Sequence, residues 1–247
     1  IAAAMVALAW VAGLRRGRGM ADAARVAAPV AAVIHARCPA AGWYLCAFAD
    51  RLPMDANDFL WSPDSPVNRD ADGRPRFLGG ALLSAEAAQI VGETLRAHPL
   101  AVIGSMLRNT LRQLVTVGTG DTLGPENLAT ALRPRIAEGF PPGELAAFDA
   151  GMQARGVLRA AVAPWAPLQM AVLLLALPVL LLGGWRAWRA GDALALAFLG
   201  AVLLGVLANA AATGGLSGVF PRYQARIAWL LPVAALLLLM PKPGRRA

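Results

Sequence analysis

Residues 220–226 read FPRYQAR and hold the pair best suited to grip an anion. Arg222 and Arg226 stand four apart, hence on one helical face, with Tyr223 beside them. Two guanidiniums can bind a phosphate through bidentate hydrogen bonds, and a lipid phosphate or polyprenyl phosphate is the natural ligand where a membrane span meets the outer surface. The plainer use of the same residues is anchoring at the interface. Asp50, Asp55 and Asp58 cluster in FADRLPMDANDFLW, a spacing at which carboxylates can share acid–base work or hold a divalent cation. Capping of turns and short helices is the commoner use of such residues, and Phe59, Leu60 and Trp61 would anchor this loop in a core or in the lipid interface. Asp70-Ala71-Asp72-Gly73 lacks the spaced ligands and closing Glu of a calcium loop, which predicts a solvated turn.

Cys38 and Cys46 are the only cysteines and bracket the short loop CPAAGWYLC. A disulfide across it requires an oxidising compartment; the alternative is a pair of buried thiols. His35 and His98 are the only histidines, and with no paired ligand spacing no metal site is predicted. Walker A, dinucleotide-binding, HExxH and G-x-S-x-G motifs are absent, so no cofactor is predicted.

The elements that must position these residues are helices in lipid. The apolar share is 57% and the aromatic share 6%, so Ala, Leu, Val and Gly supply the excess. That composition suits membrane helices better than a sheet-rich core, which favours β-branched and aromatic residues. Net charge is +8, and its distribution excludes nucleic acid as a partner. Residues 1–163 hold 16 Arg against 14 acidic residues, a net of +2, whereas 164–247 hold 7 basic residues against Asp192 alone, a net of +6. Positive charge therefore gathers beside the predicted spans, where it sets topology.

Three transmembrane helices are predicted, at 164–185, 193–213 and 223–240. Trp165 and Trp185 bracket the first in the aromatic-belt pattern. Asn209 is the only strongly polar residue of the second, and Pro232 should kink the third. The link holding Arg186 and Arg189 and the tail 241–247 holding Lys242, Arg245 and Arg246 are short and basic, so both are expected in the cytoplasm. Residues 14–163 then form a helical periplasmic segment, although Arg15, Arg16 and Arg18 argue for the opposite side. Residues 1–13 are apolar but shorter than the roughly 20 residues that cross a bilayer, and they read as the end of a truncated transmembrane helix. The expected class is all-α: a polytopic protein of a bacterial inner membrane with a helical periplasmic segment and three C-terminal transmembrane helices.

Within 14–163, residues 21–36 are Ala-rich with Pro29 interrupting, and 50–80 form a long loop. Ser84 and Glu86 open a helix over 84–97, and His98–Pro99 ends it. A helix over about 99–117 places Leu100, Ile103, Leu107, Leu111 and Leu114 at helical spacing, away from Arg108 and Arg112. It suits either a membrane surface or a helical bundle. A further helix is predicted over 143–161.

The stretches RCPAAGWYLCAFADRLPMDANDFLW, GETLRAHPLAVIGSMLRNTLRQL and RYQARIAWLLP resemble an uncharacterised family of alphaproteobacterial polytopic inner-membrane proteins, across most of the chain. The order of elements is also similar to the C-terminal part of membrane glycosyltransferases that use polyprenyl-phosphate sugars, the dolichyl-phosphate-mannose mannosyltransferase-like class. Two short motifs carry that likeness: a helix broken near a proline, as at Leu95–Pro99–Leu114, and an Arg-Tyr pair before a final Pro-containing span, as at Arg222, Tyr223 and Pro232. In that class the catalytic carboxylate lies in the first periplasmic loop, ahead of these residues, so no catalytic residue is assigned here. The resemblance implies a role in envelope glycoconjugate assembly, with the bilayer and a polyprenyl-phosphate lipid as partners. The competing expectation is a non-enzymatic scaffold that binds another protein through its periplasmic helices.

Overall fold

The computed structural model describes residues 19–54, 59–60, 62–77, 79–126 and 128–240. The apolar run 1–13, Arg15, Arg16 and Arg18, Asp55, Asp58, Trp61 and the basic tail fall outside these. The described residues are helical and contain no strand, only an isolated antiparallel bridge between Arg69 and Pro75. The chain forms two compact units, Ile1–Leu107 and Arg108–Ala247.

The first unit is built on helix α1, Gly19–Arg37, which runs unbroken through Pro29. A proline inside a helix costs about 3 kcal/mol. Burial of Ala31, Val33 and Ile34 just beyond it offsets that cost, since a fully buried Ile alone gains roughly 1.5–3 kcal/mol. Cys38 and Cys46 are joined in a disulfide that ties the end of α1 to the 3₁₀ helix Tyr44–Arg51. Helix α2, Ser84–Ala97, occupies the range predicted for it. Ile34, Leu45, Val67, Leu83 and Ile90 form the core, with Phe59 packed against it.

Glu86 does not close a cap on its own helix. Its two carboxylate oxygens accept the backbone N–H groups of Tyr44 and Leu45 at 2.7 and 3.0 Å. An anion thereby meets the orphan donors and positive end of the 3₁₀ helix. In the long loop, Asp70 Oδ1 accepts the Arg74 N–H at 2.8 Å and Gly73 has φ +77°, so DADG is a turn.

Helix α3, Pro99–Val115, leads into the second unit. Next come a π-helical turn at Leu128–Leu132, α4 at Arg133–Gly139 and α5 at Pro142–Ala150. The single helix expected over 143–161 is broken. α5 stops at Gly151, and the chain turns through Gly156 at φ +75°, a conformation glycine adopts without strain. Helix resumes at Leu158 and passes through a 3₁₀ turn into α6, Ala166–Arg189.

Three helical stretches are long and apolar enough to cross a membrane: Leu158–Arg189, Ala193–Gly215 and Pro221–Leu239. The second consists of α7, Ala193–Ala210, continued by a π turn at Ala211–Gly215. Asp192 caps α7 by accepting the Ala195 N–H at 3.1 Å. The third is divided at Trp229 into α8, Pro221–Ala228, and α9, Leu230–Leu239. The division falls where Pro232 demands it, because a proline ring clashes with the carbonyl four residues earlier. Small residues bring the helices together, as expected where lipid offers no hydrophobic drive for association. Ala176, Ala234 and Ala235 are buried with Leu180 and Val202. A Cβ at Gly183 would lie 3.0 Å from Leu238 Cβ, and one at Gly184 would lie 2.8 Å from Leu199 Cδ2.

Candidate functional site

The residues that sequence spacing singled out lie at the start of α8. Pro221 supplies the preset φ of a first helical turn, which projects Arg222, Tyr223 and Arg226 from adjacent turns. Arg222 does not stand free: its Nη1 lies 2.8 Å from Asp121 Oδ2, both side chains being largely sheltered at 28% and 20% exposure. Its guanidinium also stacks on two rings, 4.2 Å from the centroid of Phe220 and 4.8 Å from that of Tyr223. Those rings meet edge to face at 5.4 Å. Arg226 is exposed, with its guanidinium 5.4 Å from the Tyr223 centroid. Two cations thus share one aromatic ring, and one carboxylate balances only one of them. A guanidinium carries five N–H donors, so Arg222 keeps donors beyond the one facing Asp121.

Beneath this corner lies a polar network that holds it in place. The Gln113 side chain is fully buried. Its amide donates to Phe220 O at 2.9 Å and accepts from Phe220 N at 2.9 Å. Asn209 Nδ2 donates to Tyr223 O at 3.1 Å and to Gln224 Oε1 at 2.9 Å, and Gln224 Nε2 reaches Val206 O at 3.4 Å. Gln224 is 1% exposed, and a polar group buried at this depth without partners would cost several kcal/mol. Gly214 completes the seat: a Cβ there would lie 2.7 Å from Asn109 O and 2.5 Å from Gln113 Cβ, so only glycine allows α3 to approach the π turn so closely.

Asp121, Gln113 and Gly214 carried no signal in the sequence, and Phe220 entered only as the first residue of the FPRYQAR stretch. Asp121 and Gln113 lie 101 and 107 residues from their partners, and each looks like an ordinary surface polar residue. Asn209, the one strongly polar residue of the second predicted span, hydrogen-bonds Tyr223 and Gln224. Of the aspartate cluster, Asp50 is exposed near the end of the 3₁₀ helix, while Asp55 and Asp58 lie outside the described residues. Among the described residues no group of three or more His, Cys, Asp or Glu could hold a metal ion.

The fold and this corner define a helical membrane protein with three candidate spans and an Arg–Tyr–Arg cluster at the head of the last one. Searches of protein-family models, curated proteins and solved structures found no match to the chain.

Proposed function

We propose that this chain resides in a bacterial inner membrane and engages the phosphate of an anionic lipid at Arg222, Tyr223 and Arg226, in the service of envelope glycoconjugate assembly. One observation carries the phosphate part of the reading: two guanidiniums on one tyrosine ring, of which only Arg222 faces the Asp121 carboxylate, at the end of a candidate span. Arg226 offers the exposed contact. Arg222, held by Asp121 and its two rings, positions Tyr223 and adds the donors left over. The glycosyl-transfer part rests on the resemblance of the Arg-Tyr pair and the Pro-broken helices to lipid-linked-sugar glycosyltransferases. Placement of residues 14–163 in the periplasm is supported by the disulfide, which needs an oxidising compartment, and by the short basic links around the spans.

The test is the lipid that copurifies with the chain from membranes, counted by mass spectrometry. Replacing Arg222 and Arg226 together with Gln should remove bound anionic lipid while insertion is unchanged, and Arg226→Gln alone should remove most of it. An unaltered lipid complement in the double variant would leave both residues as plain anchors. A second reading, a scaffold holding another protein, is favoured by the exposed Phe77, Leu82, Val91 and Leu95 of the first unit.

A further inference from the structure

Helix α3 presents an apolar stripe that the described residues leave uncovered: Leu100, Ile103, Leu107 and Leu111 are 85%, 49%, 60% and 64% exposed. At about 100° per residue these four fall on one face. Asn109 and Gln113, which meet Gly214 and Phe220, lie nearly opposite. Arg108 and Arg112 occupy the flank between the two faces, where long basic side chains can cover apolar surface and keep their charge in water.

The C-terminal half of α3 is fixed at one particular end of the spans. Gly183 of α6 meets Leu238 of α9, each near the C-terminus of its helix, so these two run in the same direction. With α7 returning between them, the Leu158 end, the Gly215 end and the Pro221 end coincide. Gly214 and Phe220, the partners of α3, belong to that end, as do Trp165 and Tyr223, residue types that concentrate at the membrane–water boundary. An exposed stripe of four large aliphatics in water would be an aggregation liability, whereas acyl chains would solvate it.

We propose that α3 lies in the membrane interface, with the Leu100–Ile103–Leu107–Leu111 stripe among the acyl chains and Arg108 and Arg112 at headgroup level. Its occupant is the lipid bilayer itself. Its C-terminal turns are held by the Gln113–Phe220 pair and the Gly214 contact, so α3 differs from a free amphipathic anchor in being rotationally locked. The stripe needs only acyl chains, so it is independent of whether Arg226 holds a phosphate.

The experiment is a spin-label scan of the full chain in phosphatidylcholine nanodiscs, with the Cys38–Cys46 bond left oxidised. Single cysteines at 100, 101, 103, 105, 107, 108 and 111 carry the label, and collision rates with oxygen and with a water-soluble nickel chelate are compared. Labels at 100, 103, 107 and 111 should favour oxygen and those at 101, 105 and 108 nickel, following a period of about 3.6 residues. Equal nickel access at all seven would place α3 in water and overturn the proposal. Stripe positions shielded from both reagents would mean that protein covers the stripe, which overturns it equally. Arg226→Gln should leave the pattern unchanged, so loss of lipid phosphate and loss of interfacial burial are read separately.

Discussion

Gln113 does for Phe220 what a neighbouring strand does in a sheet, satisfying one backbone donor and one acceptor with a single amide. Replacing it with Leu keeps the volume and orphans both groups, each worth about 1–3 kcal/mol when buried. The thermal midpoint in detergent should fall clearly in Gln113→Leu; an unchanged midpoint would show that water reaches Phe220. A second residue-scale prediction concerns Tyr44, whose hydroxyl lies 2.9 Å from Arg69 O and 3.1 Å from Pro66 O. Burial raises its pKa above the ordinary phenol value of 10.0, and the nearby Arg76 only partly opposes this. A folded pKa above the unfolded one gives stability that is fully present below about pH 10 and is lost as pH rises through the higher folded value. The chain has two tyrosines, so Tyr223→Phe isolates Tyr44, and its phenolate absorbance should rise with a midpoint above 10; a midpoint at or below 10 would remove the burial argument.

At the scale of elements, three glycines offer a graded test of how closely the helices approach. Alanine at Gly184 meets only the flexible end of Leu199, whereas at Gly183 it meets Leu238 at Cβ. At Gly214 it runs into the backbone of Asn109. Overpacking a filled site costs about 1–3 kcal/mol, so stability should fall least in Gly184→Ala, more in Gly183→Ala and most in Gly214→Ala; any other order would mean that the helices shift to accommodate. A pH effect belongs to α4 and α5, where Arg133 makes a two-pronged contact with Asp149 at 2.9 and 2.8 Å. Those hydrogen bonds hold the Asp149 carboxyl below its ordinary value. Its contribution is therefore present above about pH 3.9 and is lost as pH falls through the lower folded pKa. Both groups are exposed, so Asp149→Asn should be nearly silent at neutral pH; a large loss of stability there would contradict the solvent-screened geometry. These elements also show how far sequence reading reaches. Runs of apolar residues and the His98–Pro99 break were legible because they are local, as were the three spans and the helix over 84–97. The break at 151–156 was missed although Gly151 and Gly156 mark it, because the flanking Ala-rich pattern reads as continuous helix. Of the candidate corner, Arg222, Tyr223 and Arg226 were legible from their spacing. Asp121 and Gln113 were not, since pairing over a hundred residues leaves no local pattern.

Across the whole molecule the two units rest on different physics. The first has a small aliphatic core closed by a disulfide, and a loop of that size contributes roughly 2–3 kcal/mol on the chain-entropy account. Reduction should therefore destabilise the first unit by that amount, read by proteolysis within 19–107, and leave cleavage of the span region unchanged. Loss of protection in both units would mean that they unfold together. In the second unit, glycine contacts and buried amides seat the spans. Topology is tested by cysteine labelling in intact cells at 60–75, 187–191 and 243–247, with Cys38 and Cys46 replaced. Labelling from outside at the first site alone is the expected result, and labelling from outside at the other two would invert the protein. The pairing of Gln113 with Phe220 also imposes an order on biosynthesis. Gln113 leaves the ribosome 107 residues ahead of its partner, so its amide must wait through the emergence of two candidate spans. A nascent chain halted before Phe220 holds the seat without its occupant, and the third candidate span settles only when Phe220 arrives to fill it.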